Sequence, residues 1–258
     1  MDSVLITRDG AIATVTLNRP RRLNALNREM WEQLEAAMLG LSAEADLRCV
    51  VLRGAGGKAF AAGADIAEFE RERADAQQAS GYGALMHAAM QAVAHCRHPT
   101  IALIEGACVG GGLEIAAMCD LRICNASSRF GVPINRLGLT MSYGELQGLL
   151  ALVGRAVTLE ILLEGRIFGA EEAYAKRLVN RVVPDDELEA AVYATAARIA
   201  AGAPLVARWH KQFVDRLTVR AELSPQAWSE GYACFDTADY REGIAAFLAR
   251  RTPRFEGR

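Results

Sequence analysis

Glu114 stands in an apolar stretch, Leu113-Glu114-Ile115-Ala116-Ala117-Met118, directly after Gly110-Gly111-Gly112. A carboxylate in such surroundings costs free energy unless it is paired or put to use, and burial raises its pKa towards the range useful for proton transfer. A structural glutamate bonded to loop amides is the competing reading of the same residue. The three glycines also have two readings. They suit a tight turn, and they suit a loop whose backbone a ligand approaches closely. A second small-residue loop, Ala59-Phe60-Ala61-Ala62-Gly63-Ala64-Asp65-Ile66, stands earlier in the chain. Each loop leads towards a helix, whose first N–H groups lack intrahelical acceptors and carry partial positive charge. Side by side, two such loops aim two N–H groups at one oxygen, an arrangement that stabilises an oxyanion. Neither loop is a Walker phosphate loop or a GxGxxG dinucleotide fingerprint.

Both loops follow short apolar runs, Cys49–Arg53 and Thr100–Ile104, which read as buried strands. Val4–Arg8 and Ala11–Leu17 read as a hairpin about Asp9-Gly10. A helix is predicted from about Asn27, where Met30, Leu34, Ala37, Met38 and Leu41 recur at helical spacing. Glu68–Asp75 is densely charged and Gln77–Gly83 is polar with glycines, so this stretch reads as a mobile surface element before a helix over Ala84–Cys96. A helix through Met118 and a third strand, Leu121–Cys124, follow. The strand, loop, helix order predicts an α/β fold. Beyond Tyr143 the chain reads as mainly helical. A helix starts near Gly169, a short strand spans Leu178–Val183, and amphipathic helices cover Glu187–Ala201, Pro204–Leu217, Pro225–Phe235 and Tyr240–Arg251.

The 258 residues are 52% hydrophobic and 23% charged, with a formal net charge of −2. No basic excess marks a nucleic-acid partner. The N-terminus lacks the basic and apolar regions of a secretory signal, and no uninterrupted apolar run approaches the roughly 18 residues of a membrane span. Cys49, Cys96, Cys108, Cys119, Cys124 and Cys234 form no CxxC pair and read as buried free thiols of a cytoplasmic protein. Cys96 lies between His95 and His98, but no further ligand cluster accompanies them, so no metal is expected.

The chain resembles the crotonase superfamily, the enoyl-CoA hydratase/isomerase family. The resemblance is carried by Asn18-Arg19-Pro20 with Asn24-Ala25-Leu26, Phe60-Ala61-Ala62-Gly63-Ala64-Asp65, Glu105-Gly106 with Gly110-Gly111-Gly112-Leu113-Glu114, and Cys119-Asp120. Phe130-Gly131-Val132-Pro133, Leu137-Gly138, Gly165-Arg166, Ala170-Glu171-Glu172-Ala173, Leu178-Val179-Asn180, Glu242–Phe247 and Arg254-Phe255 continue it in family order. It implies a ββα spiral core over residues 1–198 and a helical trimerisation region over residues 199–258, with a homotrimer or homohexamer as the assembly. It implies that the N–H groups of Ala64 and Gly111 hold a thioester oxygen, with Glu114 as the catalytic carboxylate. The substrate would be an acyl-CoA, its coenzyme A arriving with it and no cofactor permanently bound. Contacts to it would come from Arg21, Arg22, Leu23, Ala25, Ala62, Asp65, Ile66, Gly110 and Pro133, and from Arg250 of a neighbouring subunit. The family's second glutamate follows the proline of the Phe-Gly-x-Pro segment, where this chain has Ile134. Isoleucine neither orients water nor moves protons, so a one-carboxylate isomerisation is chemically easier than efficient hydration. Tyr143 and Glu145 are the first candidates to compensate. A decarboxylase or other lyase of this fold, or a non-catalytic CoA-binding protein, remains the alternative.

Overall fold

The computed structural model describes residues 2–218 and 222–258. β1 (Val4–Asp9) and β2 (Ile12–Leu17) form the expected antiparallel hairpin. Asp9 pairs with Ile12, so the turn is Gly10-Ala11, one residue later than expected; Gly10 supplies its positive φ of 55°. α1 (Arg28–Ala43) is capped by the Asn27 side chain, which accepts from the Met30 N–H, and buries Met30, Trp31, Leu34, Met38 and Leu41.

Three β-β-α units then follow. In the first, β3 (Cys49–Gly54) and β4 (Ala59–Ala61) lead to α2 (Phe69–Glu72) and α3 (Ala76–Ala94). In the second, β5 (Thr100–Ile104) and β6 (Ala107–Val109) lead to α4 (Gly111–Met118). In the third, β7 (Leu121–Asn125) and β8 (Arg129–Gly131) lead to α5 (Tyr143–Glu164). With β9 (Phe168–Gly169) and β10 (Arg181–Val183), these strands make two sheets. The first strand of each unit enters a six-stranded sheet ordered β1-β2-β3-β5-β7-β10, and the second enters a four-stranded sheet ordered β4-β6-β8-β9. The large sheet is parallel from β2 onwards; in the small one only β9 runs antiparallel. The chain thus steps from sheet to sheet across short corners. At one of them Gly106 has φ 68°, and a Cβ there would lie 2.0 Å from the Lys58 carbonyl oxygen.

The large sheet is covered on both faces, as parallel sheets are. Val50, Leu52, Ala102, Ile104 and Cys124 face α1 and α3 in the main core. The alternate residues Cys49, Val51, Ile101, Leu103 and Ile123 pack on Leu188, Val192 and Ala196 of α7 (Leu188–Ala201). Five of the six cysteines are buried free thiols, and Cys234 is half-buried.

Other local expectations change, among them the helix expected over Pro225–Phe235, which ends at Glu230. Gln77–Gly83 is helical: the Asp75 side chain caps α3 by accepting from the Gln78 N–H, and Tyr82 is already part of its buried face. Its glycines look into open space, so they mark a solvent-facing surface and not a break. The strand expected over Leu178–Val183 shortens to β10. Finally, α5 has the length and composition of a membrane span, which no uninterrupted apolar run had suggested. It is broken at Gly154 (φ 72°, ψ 174°) and packs on α4. After α6 (Ala170–Ala175) and α7, the chain ends in α8 (Pro204–Thr218), α9 (Pro225–Glu230) and α10 (Ala238–Leu248). These are tied back to the core. Arg48 donates to the carbonyls of Ala200 and Phe255, Arg208 to that of Ala45, and Lys211 pairs with Asp120 at 3.0 Å.

Candidate active site

The two glycine-bearing loops lie against each other. A Cβ built on Gly63 would lie 3.2 Å from the Val109 carbonyl oxygen and 3.9 Å from the Gly110 Cα, so the loops meet where neither has a side chain. Gly63 (φ 105°) and Gly110 (φ 50°, ψ −122°) hold backbone conformations that favour glycine. Gly112 packs α4 directly on β4, where a Cβ would lie 2.3 Å from the Ala61 carbonyl oxygen.

One residue beyond each contact stands a candidate oxygen-binding amide. Ala64 forms a parallel bridge with Leu26. That bridge runs through Leu26: its N–H donates to Gly63 O and its carbonyl accepts from the Asp65 N–H, both at 2.8 Å. The N–H of Ala64 therefore points to the other side of its segment and has no acceptor among the described residues. Gly111 is the first residue of α4, so its N–H is one of the unpaired amides at a helix start.

Glu114 sits within the first turn of α4, its N–H donating to Gly110 O at 3.0 Å. The residue is 6% exposed and its Oε2 has no hydrogen-bond partner. Burial pushes its pKa up to about 8, the negative charge of Glu145 adds to the rise, and Arg73 opposes it. A purely structural glutamate would spend both oxygens on loop amides, and this one does not.

The loop expected to meet CoA is held by groups that sequence reasoning had not singled out as functional. The Asn24 side chain, fully buried, accepts from the Arg19 N–H and donates to the carbonyls of Ala55 and Ala59. The Arg19 guanidinium pairs with Asp65 at 2.8 Å and donates to Ala25 O, clamping residues 19–25 to the loop after β4. Asp65 is thus engaged inside the protein, where it also caps a 3-10 turn over Ile66–Glu68. Arg21, Arg22, Leu23 and Ile66 are exposed, and Ala25 and Ala62 are half-buried beside them. Gly110 is at the loop junction, and Pro133 begins the turn that follows β8. Arg250 lies just past α10 with φ 53°, and among the described residues no hydrogen bond or ion pair joins its side chain to the 21–25 or 62–66 loops of its own chain.

Ile134 is half-buried and packs on the main core. Of the two compensating candidates, Tyr143 is 91% exposed and faces solvent. Glu145 is closer to the purpose, since its charge is felt by Glu114, but its carboxylate accepts from the Ser142 N–H in a capping box at the start of α5. Sequence reasoning passed over His87 of α3. Its Nδ1 is buried without a partner, and its ring lies against Gly144 of α5, where a Cβ would be 2.6 Å from Nδ1. A single histidine in a helix carries no spacing signal, so only the tertiary contact reveals it.

The enoyl-CoA hydratase/isomerase family model matches residues 7–258. The chain belongs to that family. It is similar over its whole length to a probable enoyl-CoA hydratase of Mycobacterium tuberculosis, 37% identical and covering 99% of that protein. A crotonyl-CoA hydratase of Syntrophomonas wolfei is 32% identical, with 98% of each chain covered. Among solved structures, one described as an enoyl-CoA hydratase/carnithine racemase from Magnetospirillum magneticum superposes with a TM-score of 0.99 at 54% identity, covering 100% of this chain and 97% of that one. The protein is therefore an enzyme of the crotonase superfamily, and the mixed α/β fold with its parallel core is the fold of those relatives.

Proposed function

We propose that this family enzyme binds an acyl-CoA with its thioester oxygen between the N–H groups of Ala64 and Gly111, and that Glu114 moves a proton at the adjoining carbons. The observation that carries the reading is a partnerless carboxyl, its pKa pushed up to about 8 so that it can both take and give a proton, one turn along the helix whose first N–H is free. Two fixed donors stabilise the enolate oxygen without reorganising at the moment of reaction. Exposed Arg21 and Arg22 suit the phosphates of CoA, and exposed Leu23 and Ile66 offer apolar surface to its adenine. Arg250 would reach the substrate only from another subunit.

One carboxylate is enough to take a proton from C2 of a 3-enoyl thioester and return it at C4, which gives the 2-enoyl isomer. Ile134 adds apolar surface and no second carboxylate, which favours this isomerisation as the reaction Glu114 performs unaided. The test is product analysis on but-3-enoyl-CoA, crotonyl-CoA and a malonyl-type thioester. Conversion of but-3-enoyl-CoA to crotonyl-CoA is the expected result. Loss of carbon dioxide from the malonyl thioester without isomerisation would replace the reading with a decarboxylase, and binding without turnover would leave a CoA-binding protein.

A further inference from the structure

We propose that Met118 limits the length of the acyl chain that this enzyme accepts, by standing between the reacting end of the substrate and a cavity of about 870 Å³. The proposal rests on the reading of Glu114 as the carboxylate at the reacting carbons, and extends it to the tail beyond them. The cavity lies at the end of α4 away from the two glycine-bearing loops, where α3, α4, α5 and α8 come together. Its lining is mostly apolar, and Ala117, Met118, Gly148, Ala151, Leu152 and Val214 belong to it. Four of its charged groups already have partners. Lys211 pairs with Asp120 at 3.0 Å, Arg122 donates to the carbonyls of Leu178 and Cys119, and Arg198 donates to the Thr195 hydroxyl. A hydrocarbon tail suits such a space better than a further ion does.

Met118 is common to the cavity and to the helix face that carries Glu114. The two residues are four positions apart on α4, so their side chains share one face, about 6 Å apart along the axis. A long helical side chain leans back over the turn before its own Cα, which for Met118 is the turn that carries Glu114. The thioether is held there by α5: a Cβ on Gly148 would lie 2.9 Å from the Met118 Cε and 3.0 Å from its Sδ. Glycine at 148 is therefore what lets α5 close on this side chain. Met118 is 9% exposed, and Glu114, at 6%, does not itself line the cavity. The way from the carboxyl to the cavity along this face is filled by one unbranched side chain, and shortening that side chain joins the two spaces.

The experiment measures binding of butyryl-CoA and dodecanoyl-CoA, and turnover of but-3-enoyl-CoA and dodec-3-enoyl-CoA, by the full-length protein, Met118→Ala and Met118→Ala/Ala151→Phe. The native enzyme is expected to favour the short chain in both measurements. Met118→Ala is expected to raise the affinity for dodecanoyl-CoA relative to butyryl-CoA by roughly 10²-fold, the effect of burying about four further methylene groups. Ala151 is exposed and lines the cavity, so a phenyl ring at 151 enters that space, and the double variant is expected to lose the gain. Met118→Val, a smaller cut at the same place, carries the test if the alanine variant does not fold, and is expected to shift the ratio in the same direction. A native enzyme that takes both chain lengths equally well overturns the proposal. So does a folded Met118 variant with an unchanged ratio, or a gain that Ala151→Phe does not reverse. Each of these leaves the reading of Glu114 intact so long as but-3-enoyl-CoA is turned over. A native enzyme that neither binds butyryl-CoA nor converts but-3-enoyl-CoA removes that reading, and the proposal with it.

Discussion

At Glu114 the cost of burial and the proposed use share one cause, the removal of the carboxyl from water. The ordinary value for this carboxyl is 4.5, and the folded protein raises it to about 8. Between those values the native state holds a proton that the unfolded chain has released, so stability falls as pH rises through that window and is undiminished below it. Glu114→Gln removes the titration. It is expected to leave stability at pH 5 nearly unchanged and to raise it at pH 9 by up to about 5 kcal/mol, at roughly 1.4 kcal/mol per unit of displacement. Thermal unfolding at the two pH values measures this, and equal melting shifts at both would show that Glu114 is charged in the native protein. The same variant is expected to turn over acyl-CoA at least roughly 10²-fold more slowly while binding it normally. Residues with local signals were legible in the sequence: Glu114 stood out because it interrupts an apolar run. Arg19 did not, because its partner Asp65 lies 46 positions away. His87 did not, because Gly144 belongs to another helix.

At the scale of elements, the proposed oxygen-binding pair depends on a bridge that takes its hydrogen bonds from Leu26 and leaves Ala64 free. Ala64→Pro therefore removes a donor without breaking a backbone bond within the protein. The expected loss is about 10²–10³ in kcat, with folding verified by circular dichroism. A folded variant with full activity would place the thioester oxygen elsewhere. The strands β3, β5 and β7 at the middle of the large sheet were readable because they are apolar runs of five or six residues. The strands of the small sheet have three residues or fewer, shorter than any alternation a sequence can display, and they went unseen although they carry both site loops. In α3 the opposite error arose, because polar residues and glycines on an exposed helical face look like a loop until the buried face is known.

For the molecule as a whole, the C-terminal helices are anchored through Arg48, Arg208 and Lys211, yet they leave Trp228, Phe235, Ile244, Phe247 and Leu248 exposed. Scattered apolar residues are normal on a surface, but a concentration of this kind in one short region calls for a partner. A trimer or hexamer is the expected state, and light scattering at micromolar concentration checks it; a monomer would also take Arg250 away from the substrate. The order of the large sheet, β1-β2-β3-β5-β7-β10, is the order of the chain itself. Such a spiral grows by laying each new turn on the one before, so every strand depends chiefly on its immediate predecessor and successor, as in a repeat protein. The protein should then fray inwards from its two outer strands instead of opening everywhere at once. Amide hydrogens of β3 and β5 would exchange last, those of β1 and β10 first, with the amides beneath the two glycine-bearing loops among the slowest in the molecule.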